Sequence, residues 1–431
     1  MAERLTGQVK ITKEIFLNIR KKLNNILDFK QLIEGSFKKE ITKIFEIILI
    51  GSTVLDSSDI HFEPEKKEAK VRVRIDGILH DVINFSNSLY LNLLSRIKLL
   101  SGLKLNITDK AQDGRFTILI DENPIETRVS VLPSQYGESL VMRILNPKSL
   151  IEIDDLGVRE DMIDILKKEI QKPNGMIIVT GPTGSGKTTT LYAILKRIQS
   201  PENKIITIED PVEYHLKGIS QTQVSPEKEY DFTNGLKAIV RQDPDVILVG
   251  EIRDLETAKT AIQAALTGHL VLTTLHTNDA AGTVARLISL GENPINIAPA
   301  LNMTIAQRLV RKVCKKCVKF VKPALKELEF LKRELSVLPK TIKISKIDQK
   351  LKIPKAAGCK FCNFTGYKGR IGIYEFFLVD DEMENFILTS PSIVDLKNLA
   401  EKRGMISLKK DGLIKTILGM TPLEEIIKVA G

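Results

Sequence analysis

Unbroken apolar runs alternate with longer amphipathic segments through the middle of the chain. The runs at 176–180, 205–208, 246–249 and 270–273 carry no charge and are rich in Ile, Leu and Val. Strands that are buried on both faces have this composition, as in a parallel sheet covered by helices. The block 147–310 is therefore predicted to be an α/β domain built on a parallel sheet.

The sequence before this block predicts a short helical segment at 1–40. Ile15, Ile19, Leu23 and Ile26 recur three to four positions apart, which places them on one face of a helix. A segment of this length is too short to form a stable core of its own.

Residues 41–146 have a mixed pattern that predicts a small α/β domain. In 70–75, basic and aliphatic residues alternate, which is the pattern of a strand with one buried face. Asp76 and Gly77 then turn the chain, and residues 78–82 return as a second strand. A β-hairpin is expected here.

Composition places few limits on function. Of the 431 residues, 43% are hydrophobic and 27% are charged, as in an ordinary soluble protein. No apolar run approaches the roughly 18 residues of a membrane span, and the amino terminus lacks the apolar core of a secretory signal, so a cytoplasmic protein is expected. The net charge of +10 could serve an acidic partner. Charges of both signs are mixed, as at 326–334, so a solvated surface is favoured and no nucleic-acid partner is expected.

Residues 181–188, with the sequence GPTGSGKT, match the phosphate-binding pattern G-x-x-x-x-G-K-[ST] at every position. They follow an apolar run and precede a helical segment, which is the context that the pattern requires. Glycines let backbone N–H groups converge on a phosphate, and the helix N-terminus adds positive potential. Lys187 is expected to reach the β- and γ-phosphates of ATP, and Thr188 to ligate Mg²⁺. The predicted nucleotide-binding residues are Gly181, Pro182, Thr183, Gly184, Ser185, Gly186, Lys187, Thr188 and Thr189.

Two further runs end in residues with candidate chemistry. Glu251 follows the run 246–249, and Gly250 takes the position where P-loop enzymes usually carry an Asp. Glu251 is then expected to hold Mg²⁺ or to orient the attacking water. His276 follows the run 270–273 and is predicted to sense the γ-phosphate through a hydrogen bond. A core histidine that is bonded to a carbonyl is the alternative.

An acidic cluster follows the run 205–208. Glu209, Asp210 and Glu213 lie within five positions and would repel one another unless Mg²⁺ or Arg compensates their charge. Glu213 is the preferred general base or water-positioning residue, with Glu209 and Asp210 in support of it or of the metal. An acidic turn that caps a helix would give the same pattern.

The four cysteines form two C-x-x-C pairs, Cys314 with Cys317 and Cys359 with Cys362. Each pair can bind one tetrahedral Zn²⁺ through its thiolates, and four cysteine ligands leave no open position, so a zinc site here would be structural. The chain between the pairs is longer than a usual zinc-ribbon loop, so an inserted subdomain must bring them together. A disulfide pair or a redox dithiol is the alternative, which a reducing cytoplasm disfavours.

The motifs together resemble those of one protein family. The segments that resemble the Walker A, Asp-box, Walker B and His-box motifs of the secretion ATPases are 181–188, 209–214, 248–254 and 268–278. These ATPases are the hexameric motors of type II secretion and type IV pilus assembly. The segments that resemble the second amino-terminal domain and the carboxy-terminal segment of the family are 58–64, 73–77 and 366–372. The resemblance covers residues 41–431.

The resemblance implies a RecA-like P-loop core at 147–310, preceded by a small PAS-like α/β domain at 41–146. A tetracysteine zinc subdomain at 311–370 and a helical region at 371–431 are expected to follow. Many assembly ATPases carry a further amino-terminal domain that docks on an inner-membrane partner. The segment 1–40 is too short for that domain, so the resemblance does not give the mode of docking.

Arginines of the small domain are also implied to contact the phosphates. The matching candidates are Arg115, Arg128 and Arg143, and the resemblance does not choose among them. Guanidinium groups neutralise the charge on the phosphoryl group during its transfer. The resemblance places ATP at the interfaces of a homo-hexamer.

The cysteines bear on the role within the family, because retraction-type members generally lack them. The resemblance therefore favours a motor for assembly of a type IV pilus or a type II pseudopilus. Its implied partners are an inner-membrane platform protein and the cytoplasmic domain of an inner-membrane assembly protein, which would hold the motor at the membrane periphery. A retraction ATPase, a DNA-associated P-loop motor and a non-catalytic scaffold are the alternatives.

Overall fold

The computed structural model describes residues 7–37, 39–121, 123–146, 150–339 and 342–431, and over these the chain divides into two compact units. The amino-terminal unit comprises Met1–Ser149, Cys314–Val318 and Ala356–Lys368. The carboxy-terminal unit comprises Leu150–Val313, Lys319–Lys355 and Gly369–Gly431. The predicted boundary at Pro147 lies outside the described residues.

The described part of the amino-terminal unit contains a seven-stranded sheet in the order β1-β5-β6-β7-β2-β3-β4. Its strands are β1 Gln8–Ile11, β2 Asp59–Pro64, β3 Glu68–Ile75, β4 Ile78–Ser86, β5 Gln112–Ile120, β6 Asn123–Ser134 and β7 Gly137–Leu145. Strand β1 pairs with β5 in parallel, and the other neighbours pair antiparallel. The predicted hairpin is β3–β4, with Asp76 and Gly77 at positive φ in its turn.

Helices cover one face of this sheet. They are α1 Lys13–Lys22, α2 Ile26–Glu34, α3 Ile41–Val54 and α4 Asn87–Leu100. Two short helices stand where the periodicity predicts one. The first ends at Lys22, and Asn25 caps the second by accepting the N–H of Asp28 at 3.0 Å. Through β1 and these helices, the segment before residue 41 joins the core of the amino-terminal unit.

The carboxy-terminal unit contains, within its described residues, a seven-stranded sheet in the order β10-β9-β11-β12-β8-β13-β16. The strands are β8 Gly175–Thr180, β9 Ile205–Glu209, β10 Ser220–Gln223, β11 Val246–Val249, β12 Leu270–Leu275, β13 Leu301–Val313 and β16 Tyr367–Leu378. A separate antiparallel pair is formed by β14 Lys319–Val321 and β15 Ile353–Lys355. From β10 to β13 in this order, each strand pairs in parallel with its neighbour. The four predicted apolar runs are β8, β9, β11 and β12.

Both faces of the parallel sheet are buried. Ile178 belongs to one apolar core, and its neighbours Ile177 and Val179 belong to a second core on the other face. The helices of this unit are α5 Glu160–Glu169, α6 Lys187–Ile198, α7 Phe232–Val240, α8 Leu255–Leu266, α9 Gly282–Ser289, α10 Pro294–Ala300, α11 Leu325–Glu334, α12 Asp381–Leu388, α13 Ile393–Lys402, α14 Leu408–Ile417 and α15 Leu423–Ala430. Among the described residues, no helix has both the length and the apolar character needed to cross a membrane.

The segment 311–370, expected as one subdomain, is shared between the two units. Both cysteine pairs lie in the amino-terminal unit, whereas Lys319–Lys355 packs in the carboxy-terminal unit. Apolar side chains explain the second placement. Those of the insertion that are buried in the core of the carboxy-terminal unit are Leu328, Leu331, Leu335, Leu351 and Ile353.

Candidate nucleotide site and metal centre

The candidate residues of the carboxy-terminal unit come together at one edge of its sheet. Val249 at the end of β11 lies opposite both Ile208 of β9 and Thr273 of β12. Leu275 at the end of β12 lies opposite Thr180 of β8. The four strands therefore end almost level, and the residues that follow them meet at the same edge, which is where parallel α/β sheets bind ligands.

The loop 181–188 connects β8 to α6, and its glycines are required by the close approach of β13. Gly181 has φ of 149°, and a Cβ there would lie 2.5 Å from the carbonyl oxygen of Gln307. Gly186 has φ of 91°, and a Cβ there would lie 2.8 Å from the amide nitrogen of the Gln307 side chain. A side chain at either position would push the loop away from the sheet.

Gln307 holds the phosphate loop through hydrogen bonds, and the sequence did not indicate it as a site residue. Its buried side chain donates through Nε2 to the carbonyl of Ser185 at 2.9 Å and accepts through Oε1 from Thr190 Oγ1 at 2.7 Å. These bonds hold the loop to the first turn of α6. A glutamine directly after the mostly apolar run 303–306 is the signal that could have pointed to it.

Lys187 lies over the loop that it follows. Its ammonium group donates to the carbonyls of Gly181 at 2.8 Å and Pro182 at 3.2 Å. Burial lowers the pKa of Lys187, and Glu251 partly offsets that effect. Thr188 and Thr189 continue the first turn of α6, and Thr188 is exposed.

Glu251 and His276 lie beside each other after β11 and β12. His276 Nε2 is 3.7 Å from Glu251 Oε2, and the Arg253 guanidinium pairs with the other carboxylate oxygen. Burial and then the nearby Lys187 ammonium lower the pKa of His276, which outweighs the opposite effect of Glu251. The imidazole is therefore neutral near pH 7 and can donate or accept one hydrogen bond.

Glu209 is buried, and both of its carboxylate oxygens are engaged. Oε1 accepts from Thr207 Oγ1 at 2.6 Å and from the Gln221 amide at 3.2 Å, and Oε2 accepts from the Tyr192 hydroxyl. That hydroxyl oxygen also accepts the backbone N–H of Glu213 at 3.3 Å. Glu209 thus lies one hydrogen-bonded step from Glu213 and supports the turn that carries it.

Arg308 is a second residue that sequence reasoning missed. Its guanidinium donates to the carbonyl of Gln307 at 2.9 Å and to the carbonyl of Asn278 at 2.7 Å. It also lies against the loop, since a Cβ at Gly181 would be 3.0 Å from its Nη1 atom. Burial lowers the pKa of Arg308 from its ordinary value. Arg308 connects the phosphate loop to the segment after His276.

In the amino-terminal unit, the structure brings the three candidate arginines into one row. Arg115 of β5 lies opposite Arg128 of β6, which lies opposite Arg143 of β7. Asp59 of β2 comes next, and its Oδ1 atom is 3.0 Å from Nε of Arg143. At the other end of the row, Nη1 of Arg115 is 3.6 Å from the Glu126 carboxylate.

The four cysteine sulfurs form a compact cluster in the amino-terminal unit, with all four within 4.8 Å of one another. The Sγ atoms are 3.9 Å apart for Cys314 and Cys359, 3.8 Å for Cys317 and Cys362, and 3.7 Å for Cys359 and Cys362. Tetrahedral Zn–S bonds of about 2.3 Å place sulfurs roughly 3.8 Å apart, so the cluster fits a zinc ion. An S–S bond of about 2.05 Å does not fit these distances.

Backbone donors and burial both affect these thiols. The N–H groups of Cys359 and Gly366 point at Cys362 Sγ, at 3.2 and 3.3 Å. Burial raises the pKa of Cys314 and raises that of Cys317 to about 12, whereas at Cys359 hydrogen bonds from backbone N–H groups outweigh burial and lower the pKa to about 7. Metal binding at this site must therefore displace protons.

Comparison with known proteins agrees with this geometry. The model of the family described as type II/IV secretion system protein matches residues 35–428. The type IV pilus assembly ATPase PilB of Thermus thermophilus is 45% identical over 386 residues, which cover 89% of this chain and 42% of that protein. Type II secretion system protein E of Dickeya dadantii is 41% identical over 406 residues, which cover 93% of this chain and 78% of that protein.

Solved structures show the same fold. The pilus retraction motor PilT with bound ADP superposes with a TM-score of 0.59 at 25% identity, over 88% of this chain and 95% of that one. The ATPase DotB of Legionella pneumophila superposes with a TM-score of 0.64 at 20% identity, over 90% of this chain and 95% of that one. With its phosphate loop, strand-end carboxylates and tetracysteine cluster, the chain belongs to the type II/IV secretion system protein family and is one of its secretion ATPases.

Proposed function

We propose that this chain hydrolyses ATP as a subunit of a motor that assembles a type IV pilus or a type II secretion pseudopilus. One observation carries the proposal: the phosphate loop, Glu251 and His276 meet at one sheet edge in a chain that is similar over most of its length to a pilus assembly ATPase. The motor acts in the cytoplasm, at the periphery of the inner membrane, through an inner-membrane platform protein and the cytoplasmic domain of an assembly protein.

Different residues of the site bind different parts of MgATP. Backbone N–H groups of 181–188 bind the phosphates, and Lys187 exchanges the carbonyls of Gly181 and Pro182 for the β- and γ-phosphates. Thr188 and Glu251 would hold Mg²⁺, which would neutralise charge on the phosphates. The short distance from Lys187 to the start of the loop supports this assignment.

Glu213 acts as the general base in this proposal. It accepts a proton from water as the water oxygen bonds to the γ-phosphorus and the bond to the β-phosphate oxygen breaks, which gives ADP and phosphate. Glu209 is not available for that step, because three donors occupy its carboxylate. The neutral His276 moves its hydrogen bond between Glu251 and a γ-phosphate oxygen, and so senses whether the γ-phosphate is present.

The row of Arg115, Arg128 and Arg143 contacts the phosphates of a neighbouring subunit in a homo-hexamer. Because the three arginines lie opposite one another on adjacent strands, an anion that binds over the row would meet three guanidinium groups together. Guanidinium groups placed in this way stabilise the charge of the transition state. The structural zinc of the four cysteines keeps the chain of the amino-terminal unit folded around the site, and its presence favours an assembly role over retraction.

The test is the ATPase rate of the purified protein, with Glu251→Gln beside the wild type and zinc content measured in both. We expect Glu251→Gln to lower the rate by about 10²-fold, the size of effect seen when one transition-state contact is removed. Glu256→Gln is the matched control, because Glu256 is an exposed carboxylate on α8 that pairs with Lys259. Equal rates in wild type and Glu251→Gln would overturn the mechanism.

The assembly role has a separate test in cells. Loss of this protein should abolish the extended filament or the secretion that depends on it, and Lys187→Ala should fail to restore it. A retraction motor would instead leave filaments in excess after its loss. Restoration of filaments by Lys187→Ala would favour a non-catalytic scaffold.

A further inference from the structure

A buried carboxylate outside the nucleotide site connects that site to the carboxy-terminal helices. Glu375 lies on β16 and is only 2% exposed. Its Oε1 atom accepts the backbone N–H of Ala280 at 2.8 Å, and its Oε2 atom accepts the backbone N–H of Leu408 at 3.3 Å. Ala280 lies two residues before α9, and Leu408 is the first residue of α14, so the carboxylate lies near the start of two helices, where negative charge is favoured.

Ala280 belongs to the segment that carries His276. Thr277 donates its backbone N–H to Thr180 Oγ1 at 2.8 Å, next to the phosphate loop, and Asn278 accepts from Arg308. The carbonyl of Ala280 accepts from Thr304 Oγ1 at 2.8 Å. The segment 276–280 is therefore held at one end by the strand that leads into the phosphate loop and at the other end by Glu375.

A purely structural role in fastening α14 would not require Glu375. Asp411 of α14 already accepts the backbone N–H of Tyr374 at 2.8 Å, and Lys415 donates to the carbonyl of Gly372 at 2.6 Å. These two contacts attach α14 to β16 on their own. What Glu375 adds is the bond from the same carboxylate to Ala280. Burial of an anion is costly, and a neutral amide could not accept at both ends.

We propose that Glu375 is a positioning residue for ATP hydrolysis, which ties the His276 segment to the first turn of α14 and transmits its movement to the carboxy-terminal helices. The inference rests on the proposed ATPase function. When the γ-phosphate draws His276, the segment shifts at Ala280, and the shared carboxylate carries the shift to Leu408. Energetic coupling of this kind needs a contiguous set of contacts, and the described residues supply each one.

The first experiment compares Glu375→Gln with wild type at saturating and limiting MgATP. The amide keeps the shape but offers one acceptor, so one N–H loses its partner. We expect kcat to fall by about tenfold or more, as for small misplacements of reacting groups, with the KM for MgATP changed by no more than about twofold. Glu425→Gln is the matched control, because Glu425 is also buried and bonds Arg311 from α15 without contact to the His276 segment.

The second experiment measures amide hydrogen exchange in the full-length protein with and without the slowly hydrolysed analogue MgATPγS. In wild type and in Glu425→Gln, the analogue should slow exchange over Leu408–Ile417, and in Glu375→Gln that response should be lost. A merely structural role would lower stability but leave the response in place. Retention of both kcat and the exchange response in Glu375→Gln would overturn the proposal.

A second pair of variants keeps the proposal testable if Glu375→Gln does not fold. Leu408→Pro removes the one N–H that Glu375 accepts from α14, at a position where helices tolerate proline. Leu408→Ala removes the same side chain but keeps the N–H. The proposal requires loss of the exchange response in Leu408→Pro and its retention in Leu408→Ala, and equal behaviour of the two contradicts it. An inactive wild type would instead count against the proposed ATPase function.

Discussion

The two large sheets of this protein place their functional residues in different ways. In the carboxy-terminal unit, parallel strands are buried on both faces, and every candidate residue follows the end of a strand. In the amino-terminal unit, mostly antiparallel strands have one face under helices, and Arg115, Arg128 and Arg143 lie side by side across three strands. A sheet that is covered on both faces has little room for charge there, so most of its candidate chemistry gathers at the edge.

The difference determines what each site is sensitive to. The nucleotide site depends on where strands end and on the loops that follow them. The arginine row depends on register, because a slip of one residue along β6 would turn Arg128 towards the core and break the row. Substitutions at the strand edge should therefore weaken both the binding and the hydrolysis of ATP, whereas substitutions in the arginine row should lower the rate of hydrolysis and leave the binding of ATP unchanged.

The largest effect is expected at the strand edge, from Lys187→Ala. Loss of the ammonium group removes the main cation for the β- and γ-phosphates, and we expect the ATPase rate to fall by about 10³-fold, with weaker nucleotide binding. Fluorescent ATP binding and phosphate release measure the two effects. Lys196→Ala on the same helix is the control, because Lys196 is exposed and pairs with Glu152. A variant that retains the wild-type rate would break the assignment of the site to the strand edge.

The next largest effect is expected on the sheet face, from Arg128→Ala at the centre of the row. Because two neighbouring arginines remain, we expect kcat to fall by about tenfold to a hundredfold, which is no more than the loss seen when an isolated transition-state contact is removed. The affinity for ATP should not change. Arg72→Ala is the control, because Arg72 lies on the same sheet and pairs with Glu63 and Asp81. Equal losses in both variants would indicate a general effect of surface charge.

A mixing experiment sharpens this result. Lys187→Ala subunits keep the arginine row, and Arg128→Ala subunits keep the phosphate loop. If the row acts on a neighbour's nucleotide, mixtures of the two inactive proteins should regain part of the activity. Mixtures that stay inactive while assembling normally would show that the arginines do not act across a subunit interface.

The sequence predicts the features of this protein that depend only on residues close together in the chain. The four apolar runs, the hairpin at Asp76 and the phosphate loop need only neighbours in sequence, and the structure contains each of them. Gln307, Arg308 and Glu375 were missed, because each is a single polar residue within a strand. Their importance comes from partners more than 25 positions away, such as Ser185, Asn278 and Ala280.

The cysteine region shows the same limit in another form. Two C-x-x-C pairs predict that four sulfurs meet, and they do. The spacing does not predict in which apolar core the chain between the pairs is buried. Leu328 and Leu331 of that chain are buried in the core of the carboxy-terminal unit. Likewise, periodicity before residue 41 predicts a helix but not the strand β1, because β1 exists only through its pairing with β5.

A third prediction concerns the thermal stability of the protein and not its ATPase rate. Cys317→Ser, or a strong chelator, should release zinc and lower the melting temperature of the protein by about 5–10 °C, as expected for a loss of a few kcal/mol. Since protons compete with the metal for thiols whose pKa values burial raises, zinc should be kept at alkaline pH and lost as the pH falls. Zinc content measured against pH tests this. Lys315→Ala, between two cysteines, is the control and should retain zinc.

The smallest effect is expected from His276, and it concerns pH. Burial and Lys187 lower the pKa of this histidine, so protonation sets in only below the ordinary value of about 6.5. The neutral form thus prevails at and above about pH 7, and titration of His276 should not shape the activity there. His276→Gln leaves the segment in place, and the glutamine amide can still donate a hydrogen bond to the γ-phosphate, so we expect kcat to fall only a few-fold, with a pH profile parallel to that of wild type from about pH 7 to 8.5. If wild type alone lost activity as the pH fell through that range, the imidazole would be titrating at a raised pKa. In that case the Glu251 carboxylate, which lies on the same strand edge, would affect the pKa of His276 more strongly than Lys187 does.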